Sequence, residues 1–182
     1  NVILNESEKT VMLKEEGMTL DLGGIAKGYG ADEVVKILRE YGVEHAIVNL
    51  GGNVFAYGNK PDDTPWRVGV QNPKSPRGDY IGIAEVVNQT VVTSGIYERY
   101  FEEDGKKYHH ILDADTGYPV ENNLAGVSII ADSSIEADSL STAVFAMGID
   151  EGMNLIESLD NAEAVFVTKD SQVYITSGLK DS

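Results

Sequence analysis

Three short segments hold the residue types that chemistry needs. Residues 21–29 read D-L-G-G-I-A-K-G-Y. Glycines placed between a strand and a helix let the backbone approach a ligand closely, and a helix start offers free N–H groups to an anion. Lys27 adds a point charge. The segment matches neither the dinucleotide fingerprint nor the P-loop, and it also reads as a tight β–α turn with a solvent-facing lysine. Residues 108–119 read Y-H-H-I-L-D-A-D-T-G-Y-P. In an extended chain successive side chains face opposite ways, so only one of His109 and His110 can face a given pocket. A pocket-facing histidine titrates near neutral pH and can move a proton; the plainer reading is a surface histidine beside a buried one, followed by a turn.

The third segment, E-A-D-S-L-S-T-A at 136–143, has a helical pattern. Residues four apart share a helical face, so Asp138 and Thr142 present a carboxylate and a hydroxyl side by side. Hard oxygen ligands suit Mg²⁺ or Ca²⁺ rather than zinc. Magnesium is commonly held by one or two carboxylates, with ligand phosphates and water completing its shell. The alternative is a threonine bonded to its own helix backbone beside a solvated aspartate. Two further segments carry weaker signals. N-L-G-G-N at 49–53 follows a strand and reads as a turn that needs positive φ. T-S-G-I-Y-E-R-Y-F at 93–101 joins small residues to an aromatic strand, where Arg99 suits either a carboxylate partner or a ligand.

The elements that must position these groups are mixed. Short strand pieces are expected at 11–13 and 19–22, ahead of the glycine turn at 23–28. An amphipathic helix follows, with Ala31, Val34, Val35, Leu38 and Tyr41 on one face and Gly42 as its C-terminal glycine. Residues 43–50 read as a buried strand. Strands are also expected around Trp66, Val68 and Val70, around Ile81, Ile83 and Glu85, and at 127–131, with a loop at 72–78. Ser133 or Ser134 N-caps a helix over 134–147 with Glu136 in its first turn, and a second helix covers 151–159. A hairpin at 164–168 and 173–176 ends the chain. The expected class is α+β: a single mixed α/β domain over 1–182, with strands flanked by a few helices.

Composition narrows the function. The 182 residues include 30 acidic and 14 basic side chains, a net charge of −16. That balance argues against nucleic-acid binding, which needs a basic footprint. It also means that a phosphate ligand is repelled unless a cation or local donors intervene. There is no cysteine, which excludes disulfides and thiolate chemistry, and the three histidines are too few and too scattered for a typical histidine-rich zinc site. No apolar run is long enough to span a membrane. The first residue is Asn1 rather than Met, as in a processed or trimmed form.

Taken in order, D-L-G-G-I-A-K-G-Y, N-L-G-G, T-S-G-I-Y-E-R-Y-F, H-H-I-L-D-x-x-T-G-Y-P and A-D-S-L-S-T-A-x-F-x-x-G resemble the signatures of the ApbE-like FAD:protein FMN transferases, over about nine-tenths of the chain. The resemblance implies an enzyme that binds FAD and Mg²⁺ and transfers FMN to a threonine of an acceptor protein, releasing AMP. It implies a magnesium ion held by the Gly24 carbonyl, Asp138 and Thr142, with Asp21, Lys27 and Ile111 contacting the flavin nucleotide and His110 as general base. The dication and Lys27 would then offset the pyrophosphate inside an acidic protein. It implies acceptors among subunits of sodium-pumping NADH:quinone reductase or Rnf-type complexes, and an extracytoplasmic, usually lipid-anchored setting. Family members carry a further N-terminal portion that helps wall the flavin pocket, which this chain is expected to lack. Two other readings of the same residues stand beside it: an FAD pyrophosphatase that releases FMN and AMP, and a non-catalytic flavin-binding domain.

Overall fold

The computed structural model describes residues 1–75, 78–97 and 100–180. The chain opens with the hairpin β1 (Val2–Asn5) and β2 (Thr10–Leu13), then enters helix α1 (Ala26–Glu40). Strands β3 (Ala46–Leu50), β4 (Asn53–Tyr57), β5 (Trp66–Gln71), β6 (Tyr80–Val86) and β7 (Gln89–Gly95) follow. Next come the hairpin β8 (Tyr100–Glu103) and β9 (Lys106–His109), strand β10 (Leu124–Ala131), helices α2 (Ser134–Met147) and α3 (Ile149–Glu157), and the closing pair β11 (Ala162–Thr168) and β12 (Val173–Ile175). Six strands form the main sheet in the order β12-β11-β10-β7-β4-β3, every neighbouring pair antiparallel. This is the mixed architecture expected from the sequence.

Alternation along the strands decides what covers each face. Val127 and Ile129 of β10, Val92 of β7 and Phe166 of β11 point to the side occupied by Val144 and Phe145 of α2 and Ile156 of α3. Ala31 and Val35 of α1 pack on Val48 and Phe55 on β3 and β4. Ile130, Val91 and Ala56 face the opposite way, against Val86, Trp66 and Val68 of the β5–β6 hairpin. All eight residues of β10 are buried, because the strand has neighbours on both edges and cover on both faces.

The two long helices form where the sequence places them. In α2, Ser133 is the N-cap and its hydroxyl accepts from the Glu136 amide at 3.5 Å. In α1, Gly42 takes a positive φ of 72°; its amide donates to the Arg39 carbonyl and that of Val43 to the Leu38 carbonyl, the paired bonds of a Schellman ending. The apolar face is narrower than the pattern suggests, since Val34 and Tyr41 are exposed. Three expectations need correction. Residues 19–22 form no strand, since Asp21 accepts from the Gly23 amide at 2.7 Å and bends the chain there. The strand expected over 43–50 begins only at Ala46, and as a sheet edge it buries Val48 alone. The last helix runs two residues earlier, because Gly148, at φ 86°, both ends α2 and starts α3. Arg99, together with Pro76 and Arg77 of the expected loop, lies outside the described residues.

Candidate active site

The site grows from the way α1 and α2 hold each other. Gly28, in the first turn of α1, lies so close to α2 that a Cβ there would run into the Ser134 carbonyl. Only glycine permits this approach. Its amide donates to Asp138 Oδ2 at 2.9 Å. In return, Asp32 of α1 accepts from the amides of Ser134 at 2.9 Å and Ile135 at 3.0 Å, and from the Ser133 hydroxyl at 3.3 Å. A carboxylate of each helix thus receives N–H groups from the first turn of the other, where the helix dipole is positive.

This clasp turns Asp138 into the cleft rather than into solvent; the residue is only 3% exposed. Its other oxygen, Oδ1, has Lys27 Nζ at 3.4 Å, and Lys27 also reaches the Gly23 carbonyl at 3.4 Å. One turn along α2, Thr142 Oγ1 lies 3.3 Å from Ser94 Oγ of β7, which in turn meets Ser141 Oγ at 2.9 Å. Thr142 bonds its helix backbone only at a long 3.4 Å, to the Asp138 carbonyl. Gly24 is adjacent, since a Cβ built there would sit 3.7 Å from Thr142 Oγ1.

The cleft has a volume of about 450 Å³. Asp21, Gly24, Lys27, His110, Ile111, Asp138 and Thr142 all line it, so the seven residues singled out from sequence share one cleft although the first and last lie 121 positions apart. His110 sits just past the end of β9, exposed on the cleft side. His109 points away: it is 9% exposed and packs edge-on against Phe145, with ring centroids 6.0 Å apart. Burial holds its imidazole below the usual histidine range. Three residues to which the sequence reading gave no individual role also matter here: Asp32, and Ser94 and Asn53 from the two segments of weaker signal. Asp32 had no local signal, since its partners lie about a hundred residues away.

The ApbE family profile matches residues 1–166. This chain belongs to the ApbE family. It is 43% identical over 176 residues to the FAD:protein FMN transferase of Klebsiella pneumoniae (strain 342), covering 97% of this chain and 54% of that protein. It is 40% identical to the FAD:protein FMN transferase of Treponema pallidum (strain Nichols), covering 94% and 50%. The crystal structure of the ApbE protein from Thermotoga maritima superposes with a TM-score of 0.90 at 36% identity, covering 99% of this chain and 58% of that one. The apo form of the Pseudomonas stutzeri flavinyl transferase ApbE gives a TM-score of 0.79 at 34% identity, covering 99% and 55%. The chain spans about half the length of the curated relatives it matches.

The donor set suits the metal that the ApbE resemblance implies. Asp138 Oδ1, the Thr142 hydroxyl and the turn at Gly24 put hard oxygen atoms on one wall of the cleft. Lys27 already places a positive charge beside Asp138 Oδ1, the oxygen that a cation would share. Among the described residues no three His, Cys, Asp or Glu side chains cluster as a metal cage. A small hard cation held this way would complete its shell with water and ligand phosphates, as magnesium does.

Proposed function

We propose that this chain carries the active site of a magnesium-dependent FAD:protein FMN transferase, which joins FMN through a phosphoester to a threonine of an acceptor protein and releases AMP. The observation that supports this reading most is the convergence of Gly24, Lys27, His110, Asp138 and Thr142, from three distant segments, on one cleft of an ApbE-family fold. Asp138, Thr142 and the Gly24 carbonyl would hold magnesium, which when bound supplies positive charge against the pyrophosphate oxygens. Lys27 offsets further negative charge, and the positive end of the α1 dipole favours the same anion, although the Ala26 and Gly28 amides are already bonded within the protein. Asp21 and the Ile111 backbone contact the nucleotide at either side. His110 accepts the proton of the acceptor threonine hydroxyl. The threonine oxygen then bonds to the FMN-side phosphorus as the phosphorus–oxygen bond to AMP breaks, and AMP leaves with the electron pair.

The same family resemblance supports acceptors among subunits of NADH:quinone reductase or Rnf-type complexes, and an extracytoplasmic, lipid-anchored setting. Among the described residues no helix is long and apolar enough to cross a membrane. The test is incubation with FAD, Mg²⁺ and a threonine-containing acceptor, followed by mass spectrometry. An FMN-modified threonine together with AMP supports transfer. Free FMN and AMP with an unmodified acceptor replace it with pyrophosphatase action, and no turnover at all, with FAD bound, leaves a flavin-binding domain.

A further inference from the structure

Asn53 opens β4 directly after Gly51 and Gly52, both at positive φ (63° and 98°). It is 1% exposed. Its Oδ1 accepts from the Ser134 hydroxyl at 2.7 Å, which fixes the amide against α2 one turn before Asp138 and two before Thr142. These positions share a helical face. The Nδ2 end of the same amide is buried and has no hydrogen-bond partner, yet Asn53 lines the cleft with Lys27, Gly51 and Asp138.

A buried amide donor without an acceptor is unfavourable and rare in folded proteins. The nearby acceptors are already engaged: Asp138 Oδ2 receives the Gly28 amide and Oδ1 faces Lys27, while Thr90 and Ser134 bond to each other. Because Asn53 lines the cleft, an occupant of the cleft is a source of the acceptor that this amide lacks. Beside Lys27 and the first turn of α1, that is an anionic oxygen.

We infer that Asn53 is a further substrate-binding residue of this site, whose Nδ2 donates to a phosphoryl oxygen of the bound dinucleotide. The inference rests on the FAD reading given above. Asn53→Asp tests it most directly, because it keeps an oxygen for Ser134 and replaces the donor with an acceptor. Asn53→Ala removes both.

FAD affinity in the presence of Mg²⁺ is followed by flavin fluorescence, with thermal unfolding of each variant measured alongside. Loss of one hydrogen bond to a charged acceptor weakens binding about ten- to a hundredfold, so both variants should lose at least about tenfold in FAD affinity as folded proteins. A folded Asn53→Asp protein that binds FAD as tightly as wild type, or more tightly, overturns the assignment. Should both variants unfold, the side-chain ¹⁵N resonance of Asn53 in the wild-type protein decides. It should move on addition of FAD with Mg²⁺ and stay in place with riboflavin, which carries no phosphoryl oxygen; a resonance indifferent to FAD overturns the proposal. Failure of the underlying FAD reading is distinct, since wild type itself would then show no Mg²⁺-dependent FAD binding.

Discussion

Asp138 has two jobs that different substitutions separate. One oxygen holds the Gly28 amide, and the other faces Lys27 and the cleft. Asp138→Asn keeps a carbonyl oxygen for Gly28 and puts an uncharged NH2 where Oδ1 faced Lys27, whereas Asp138→Ala removes both oxygens. Leaving the buried Gly28 N–H without an acceptor costs about 1–3 kcal/mol. The Lys27 pair adds less than about 1 kcal/mol, because Lys27 is 41% exposed and solvent screens the interaction. In a chain of this size each kcal/mol lowers Tm by roughly 2–4 °C, so Asp138→Ala should melt about 2–16 °C below wild type while Asp138→Asn, which keeps the Gly28 bond, falls by less. Both should lose Mg²⁺-dependent release of AMP from FAD. Circular dichroism on heating gives the first quantity, and chromatography of the nucleotides gives the second. Undiminished Mg²⁺-dependent turnover in Asp138→Asn would falsify the ligand assignment, and an Asp138→Ala protein as stable as wild type would refute the clasp argument.

Three further outcomes follow from the same geometry. His110→Ala should slow FMN transfer by about 10²–10⁴-fold, the range for a general base, with FAD affinity little changed; loss of affinity in step with rate would assign His110 to binding instead. Oxygen donors should accept Mg²⁺ or Mn²⁺, and turnover that responds to zinc but to neither of these would show that the donor set is misread. His109 titrates below its unfolded value because it is buried, so the unfolded chain binds its proton first as pH falls. Stability from His109 is therefore fully present above the unfolded value of about 6.5 and declines on acidification through that value toward the lower folded one. Denaturant titrations at pH 7.5 and 5.5 should show this loss in wild type and less of it in His109→Gln; equal losses would mean that other groups carry the effect.

The residues that line the cleft were singled out by the order of their motifs and the family resemblance, since each segment alone also had a plainer reading. The spacing of Asp138 and Thr142 fixes a shared helical face whatever the tertiary fold, and the two adjacent histidines must diverge in an extended segment. What stayed hidden depends on distant partners. The central strands β4 and β7 went unread; β7 carries Thr90, Thr93 and Ser94, which break the apolar pattern of a buried strand. In the fold these hydroxyls meet Ser134, Ser128 and Ser141, so polar atoms are buried without penalty. Residues 19–22 erred in the other direction: their local pattern resembles a strand, but the Asp21 carboxylate takes the Gly23 amide and bends the chain there. The solvated aspartate that the pattern allowed at 138 is excluded by the packing of α1, which nothing near that position in the sequence reveals.

The reciprocal hold between Asp32 and the start of α2, and between Asp138 and the start of α1, also bears on how the molecule breathes. Neither helix can lift from the other without stranding N–H groups at both starts, so the two should open as one cooperative unit rather than fray separately. Anything that engages Asp138 engages this unit. A ligand bound only when the helices are docked raises the free energy of that opening by mass action. Amide hydrogen exchange at Gly28, Ser134 and Ile135 would then slow together, so that occupancy of the cleft is reported by backbone positions that never touch the ligand.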